Sequence, residues 1–267
     1  MRTLALENSS SMDLQGFDKN CLEILEALPN RQSKHCFRSA INHLKRAEPL
    51  FAMDRNMAVF RCITAEEEAA SGLMYCLKDK RYKNSERLNP RDHVQKNAVL
   101  EFFSVLSQFV EDSFRQFGIE IILSTHEKNG AKFLAFQASM DLGQGQTSFV
   151  PDPPLNFCLT HEDKRFSYKK QIEKLRNSKQ LDTIAEHLKV KANLRNLLLY
   201  ANQRGFPCDV EIEAKFFPAH QRRILALLRC YLMIAPYEAH QQFVQDSLDS
   251  FLLMLEKQDF SDIHNEL

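Results

Sequence analysis

Glu67 is the first candidate for chemistry because it interrupts an apolar stripe. Between residues 56 and 80, apolar side chains recur at the three- and four-residue spacing of one buried helix face, and Glu67 falls in the middle of that face. An ionised carboxylate is costly to bury unless a cation or several hydrogen-bond donors meet it. We therefore expect a partner for Glu67 on a facing helix, and the candidates are Arg38, His43, His93 and Lys96.

The neighbouring carboxylates extend this polar feature. Glu66 and Glu68 are expected to point to either side of the same face, so the run AEEEAA predicts a polar groove between helices. Two interpretations stay open: Glu67 belongs to a structural ion pair, or it belongs to a functional site.

The elements that must position Glu67 are helices, and the sequence predicts them over residues 18–28, 33–48, 56–80 and 90–117. Ser33 is expected to cap the second helix. Asn89 followed by Pro90 is typical of a helix start, so the fourth helix is expected to begin there. Gly118 is expected to end it.

The pattern after residue 118 changes to the alternation of β-strands. A hairpin is predicted over residues 119–139 with its turn at Asn129-Gly130, followed by a loop over 143–154 and a third strand over 209–216. Helices are predicted over 167–176, 178–204 and 219–255, the last kinked or broken at Pro236. The expected fold is therefore mainly α: a helical-bundle half over residues 1–117, and an α+β half over 118–267 that contains a small antiparallel sheet, packed as one unit.

Composition excludes several classes of protein. The formal net charge is zero, so no global field favours nucleic acid or membranes. The seven cysteines are odd in number and scattered without a CxxC pair, which favours a reducing, cytoplasmic setting. No apolar run is long enough for a signal peptide or a membrane span. The histidines lack metal-ligand spacing and no glycine-rich phosphate loop is present, so neither a metal nor a cofactor is expected.

A basic segment with aromatic side chains is a candidate binding surface. Basic and aromatic residues together suit a nucleic-acid backbone, although an acidic protein surface is an equally good target and a solvated helix face is the simplest alternative. The candidate contacts are Lys164, Arg165, Tyr168, Lys169, Lys170, Lys174 and Arg176.

One family resemblance rests on residues 33–110. The stretch FRSAINHLKRAEPLFAMDRNMAVFRCITAEEEAASGLMYCLK and the later NPRDHVQKNAV resemble the helical core of HEPN-type proteins, in particular the AbiV-type abortive-infection branch. The paired acids of that branch look similar to Glu66 and Glu67. Its third helix, which opens near a histidine and a lysine, looks similar to the region of His93 and Lys96. The likeness is one of arrangement rather than of an invariant string.

The resemblance implies a specific chemistry. Many HEPN proteins are metal-independent ribonucleases that use an Arg and a His four to six residues apart. Counted as the residues that lie between the two, this spacing occurs at Arg87 and His93, and again at Arg38 and His43. The second pair lies within one predicted helix about 140° apart, so only the first is expected to converge. His93 would then act as a general base, with Arg87 holding the phosphate.

Three hypotheses for function follow. The first is a binding or regulatory component of a bacterial antiphage defence or stress system, which contacts a partner protein of the same system or nucleic acid, RNA in preference to DNA. The second is a metal-independent endoribonuclease that uses Arg87 and His93, with Glu67 beside them. The third is a structural subunit that forms a homo-oligomer and has no catalytic activity. The sequence does not decide whether the chain is an enzyme.

Overall fold

The fold is mainly α-helical with a small antiparallel sheet inserted after the fourth helix, as predicted. The computed structural model describes residues 16–128, 130–141, 145–158, 196–200 and 213–257, with Leu14, Gly143, 160–161 and 164–165. The long helices are α1 (Gly16–Ala27), α2 (Gln32–Phe51), α3 (Arg55–Asp79), α4 (His93–Gln116), α5 (Phe216–Ile234) and α6 (Gln242–Lys257). A 3₁₀ helix spans Ser85–Arg87, and residues 196–199 are also helical.

Helices α2 and α3 form a tightly packed helical hairpin. The side chain of Asp54 accepts a hydrogen bond from the Met57 amide at 2.9 Å and so caps the start of α3. Gly72 lets the two helices approach closely, because a Cβ atom there would lie 2.8 Å from ring carbons of Phe37. The Phe37 ring is fully buried and stacks on Tyr231 of α5, with centroids 4.6 Å apart.

Two predicted helix starts were wrong. Ser33 lies inside α2, which begins at Gln32, and its hydroxyl lies 3.4 Å from the Tyr231 hydroxyl. Helix α4 begins at His93, because Asp92 and not Asn89 provides the cap. The Asn89 side chain instead accepts a hydrogen bond from the Arg91 amide at 3.1 Å, which closes a turn before the helix.

The sheet has the strand order β1 (Glu120–Lys128), β2 (Ala131–Asp141), β3 (Gln146–Phe149), with both pairs antiparallel. The predicted hairpin and its turn near Gly130 are confirmed. The predicted loop over 143–154 was partly wrong, since β3 pairs with β2. In the part of the chain that the structure describes, β4 (Thr160–His161) and β5 (Lys164–Arg165) pair as a second, antiparallel sheet.

The predicted third strand over 209–216 was wrong in its described part. Residues 213–215 form coil and turn, and Phe216 already begins α5. Residues 209–212 and the predicted helix over 167–176 lie outside the described residues, as does most of the helix predicted over 178–204. Glu211, Glu213 and Lys215 alternate with apolar residues, which is the pattern that predicted a strand. The alternation is so short that it also fits a segment that precedes a helix.

The chain breaks near Pro236 as predicted, and the break divides α5 from α6. Gln241 lies at this junction and is fully buried. Its side chain accepts a hydrogen bond from the Leu155 amide at 2.7 Å and donates one to the Met233 carbonyl at 2.8 Å. The hydrophobic core on either side of it includes side chains of α1 to α6 and of the sheet.

The cysteines of the described chain are free thiols, and those of the first three helices lie within the core. Burial raises the pKa of Cys21 and Cys36 to about 11, and that of Cys62 and Cys76 to about 12. These thiols are therefore protonated and unreactive at neutral pH. None of the helices in the described chain is both long and apolar enough to cross a bilayer.

Candidate functional site

Glu67 and His93 face one another across the contact between α3 and α4. Nδ1 of His93 lies 3.0 Å from both carboxylate oxygens of Glu67. The Glu67 side chain is 6% exposed, whereas that of His93 is 51% exposed. The pair therefore joins a buried carboxylate to an imidazole at the surface.

Lys96 is the cation that offsets the charge of Glu67. Its ammonium lies 3.5 Å from Glu67 Oε2, and its side chain is 9% exposed. His93 and Lys96 are three positions apart in the first turn of α4, so both project towards the same part of α3. Of the four partners expected for Glu67, these two are confirmed.

The turn before α4 is held in place by the chain around it. Asp92 accepts hydrogen bonds from the amides of Val94 and Gln95 at 2.8 and 3.2 Å, which sets the position of the first turn of α4. The Ser71 hydroxyl lies 3.1 Å from the carbonyl of Pro90. Lys78 donates to the carbonyl of Leu88 at 2.8 Å. These two hydrogen bonds hold the connection against α3 and so determine the position of His93, the first residue of α4.

The contact with Glu67 determines which nitrogen of His93 carries a proton. An ionised carboxylate can only accept hydrogen bonds, so Nδ1 must be the donor. When the ring is neutral, Nε2 is then the nitrogen with the lone pair. A carboxylate that orients an imidazole in this way is the arrangement in which histidine serves as a general base.

A second buried carboxylate was missed from the sequence. Glu66 is buried and accepts a hydrogen bond from Nε of Arg223 on α5. Nδ1 of His220, also on α5, lies 2.7 Å from the same oxygen but forms no hydrogen bond in the described chain. The two side chains are therefore in close contact. The signal available in the sequence was the three-residue spacing of His220 and Arg223 on one predicted helix.

The other Arg–His candidates do not join this cluster as pairs. Arg38 forms an ion pair with Glu26 of α1 at 3.3 Å, and His43 contacts Arg61 of α3, so neither is the expected partner of Glu67. Arg87 is exposed and ends the 3₁₀ helix six residues before His93. Its predicted role as a phosphate ligand stays a prediction.

The basic segment is described only at its start. Lys164 and Arg165 form the two-residue strand β5. The remaining predicted contacts lie outside the described residues: Tyr168, Lys169, Lys170, Lys174 and Arg176.

No group of three or more potential metal ligands occurs among the residues that the structure describes. No family model, no curated protein and no solved structure matches this chain. The HEPN-like resemblance therefore stays a prediction.

Proposed function

We propose that this protein cleaves RNA without a metal ion and uses His93 as the general base. The observation that carries the proposal is the contact of His93 Nδ1 with both oxygens of Glu67, which orients a half-exposed imidazole. The choice of RNA as the substrate and the bacterial defence or stress setting come from the HEPN-like resemblance. Both are part of the proposal for that reason alone.

The reaction needs one base and one acid. Nε2 of His93 takes the proton of an RNA 2′-hydroxyl, and the 2′-oxygen then attacks the adjacent phosphorus. The bond from phosphorus to the 5′-oxygen breaks, and the leaving oxygen takes up a proton from solvent water, to which the His93 imidazolium later releases the proton that it accepted. The products are a 2′,3′-cyclic phosphate and a 5′-hydroxyl. DNA lacks the attacking hydroxyl and is not a substrate.

Glu67, Lys96 and Arg87 each have a role in the proposed reaction. Glu67 holds the ring orientation and stabilises the imidazolium that forms when Nε2 accepts the proton. Lys96 offsets the charge of the buried carboxylate at 3.5 Å. Arg87, which is exposed on the connection before α4, is proposed to meet the phosphate with its donor fork.

The test is cleavage of a mixed-sequence RNA in the presence of a chelator. His93→Ala should lower the rate by roughly 100-fold or more, the usual contribution of a general base. His35→Ala is the matched control, because His35 is an exposed histidine of α2, and its rate should stay within about twofold. A wild-type protein that leaves RNA intact, or equal rates for wild type and His93→Ala, would refute the proposal.

A second candidate is a binding or regulatory component without catalysis. It is favoured by the burial of both Glu67 and Lys96, since such a pair can join α3 to α4 without any substrate. The same assay separates the two candidates. RNA that binds to the protein, as measured by fluorescence anisotropy, and stays uncleaved supports the second.

A further inference from the structure

A cluster of two arginines and one histidine lies on the α2–α3 hairpin, away from Glu67. We define the cationic cluster as His43, Arg46 and Arg61. Nη1 of Arg61 on α3 lies 3.3 Å from Nδ1 of His43 on α2. Arg46 is exposed and follows His43 by three positions, so it lies on the same face of α2.

Arg61 differs from the other partly buried arginines in its partner. Arg223 and Arg229 each contact a carboxylate, that of Glu66 and of Asp18 respectively. Arg61 contacts an imidazole, and no carboxylate of the described chain lies within 4.0 Å of it. Its Nε is enclosed and has no hydrogen-bond partner among the described residues. Within that part of the chain, the guanidinium is therefore short of both a counterion and acceptors.

The hydrogen bond between Arg61 and His43 does not itself offset the charge of Arg61. Arginine can only donate, so Nδ1 of His43 must accept and the imidazole must be neutral, with its proton on Nε2. Burial, then Arg61, then Arg46 lower the pKa of His43, in agreement with a neutral ring in a positive local field. A neutral partner leaves Arg61 with its whole charge at a partly buried position, which is costly until an anion meets it.

We propose that the cationic cluster binds a phosphate group. The planar fork of a guanidinium matches the oxygens of a phosphate, and the exposed Arg46 supplies a second cation on the same face. Free phosphate and the backbone of RNA both present this group. The site is separate from that of His93, because Arg61 precedes Glu67 by six residues, about 9 Å along α3 and about 120° around it. The inference does not depend on the proposed cleavage.

The experiment measures binding of inorganic phosphate by calorimetry, and of a short labelled single-stranded RNA by fluorescence anisotropy in chelator. Arg61→Gln should weaken phosphate binding by about tenfold or more, because a charge-assisted hydrogen bond is lost. Arg46→Gln removes an exposed charge and keeps the fold, so it tests the cluster if Arg61→Gln is unfolded in a thermal melt. Lys45→Gln is the control: Lys45 is exposed on α2 but about 160° from His43, and its effect should stay within about twofold.

The two ligands identify the source of the phosphate. RNA binding that is weakened by Arg61→Gln and displaced by inorganic phosphate supports a site for the RNA backbone. Phosphate binding that depends on Arg61, with RNA binding unchanged by the substitution, supports a site for free phosphate. No phosphate binding at millimolar concentration, or equal losses in the cluster variants and in Lys45→Gln, overturns the proposal. Neither measurement depends on RNA cleavage, so the proposed function can fail independently.

Discussion

Replacing Glu67 by alanine tests whether the carboxylate holds α3 and α4 together. The substitution leaves the Lys96 ammonium without its carboxylate partner at a position where the lysine side chain is 9% exposed. Removing one partner of a buried ion pair costs about 3–5 kcal/mol, because the remaining charge is buried without compensation. His93 adds little to this figure, because its side chain is half exposed and water can replace the lost contact.

The stability change converts to a measurable shift in melting temperature. For a chain of this size, 1 kcal/mol corresponds to about 2–4 °C, so Glu67→Ala should lower the midpoint by roughly 6–20 °C. Glu68→Ala is the matched control: Glu68 is the next residue on the same helix and makes no ion pair in the described chain. Its free energy of unfolding should change by less than about 0.5 kcal/mol.

A double substitution shows whether buried charge is the cause. Glu67→Ala combined with Lys96→Met removes the unpaired ammonium and replaces it with an apolar side chain of similar length. The double variant should be more stable than Glu67→Ala alone, as measured by circular dichroism during thermal or urea unfolding. An unchanged melt for Glu67→Ala, or a double variant that is less stable than the single one, would show that the pair does not hold the helices together.

Two further predictions concern the α2–α3 hairpin. Gly72→Ala should destabilise the fold by about 1–3 kcal/mol in urea unfolding, because the new methyl group would meet the fully buried ring of Phe37. Gly16→Ala is the control and should have little effect, since nothing lies within 4 Å of a Cβ atom there. Equal effects of the two substitutions would contradict the close approach of α2 and α3. His43 has a lowered pKa in the folded state, so below its ordinary value of 6.5 the unfolded chain binds a proton that the folded chain does not. Stability should therefore fall as pH drops below about 6.5, and His43→Gln should show a smaller fall over the same pH range; identical pH profiles would contradict it.

Much of the helical core could be predicted from the sequence because local patterns determine it. The apolar spacing of α3 predicts its ends to within one residue. The cost of a buried carboxylate predicts a partner for Glu67 on a facing helix, and His93 and Lys96 are two of the four candidates that this argument gives. The hairpin and the break at Pro236 follow from turn chemistry and from the missing amide of proline.

The rest depends on partners that are distant in the sequence. Asn89-Pro90 has the local signature of a helix start, and Asp92 offers a second capping residue three positions later. The sequence pattern fits both positions, but in the structure Asp92 caps α4. The sequence predicts for Glu66 only a place in a polar groove. It does not reveal the partners of this residue, because His220 and Arg223 follow it by more than 150 residues. Strand β3 has only four residues, which is too few for an alternation of polar and apolar side chains to distinguish it from a loop in the sequence.

The buried thiols of the first three helices allow local unfolding of the native chain to be measured by cysteine labelling. Cys21, Cys36 and Cys76 lie on α1, α2 and α3, and an alkylating reagent can reach each only when its helix separates from the core. Mass spectrometry of peptides after brief labelling would therefore rank the opening rates of these helices in the unmodified protein, without an engineered probe.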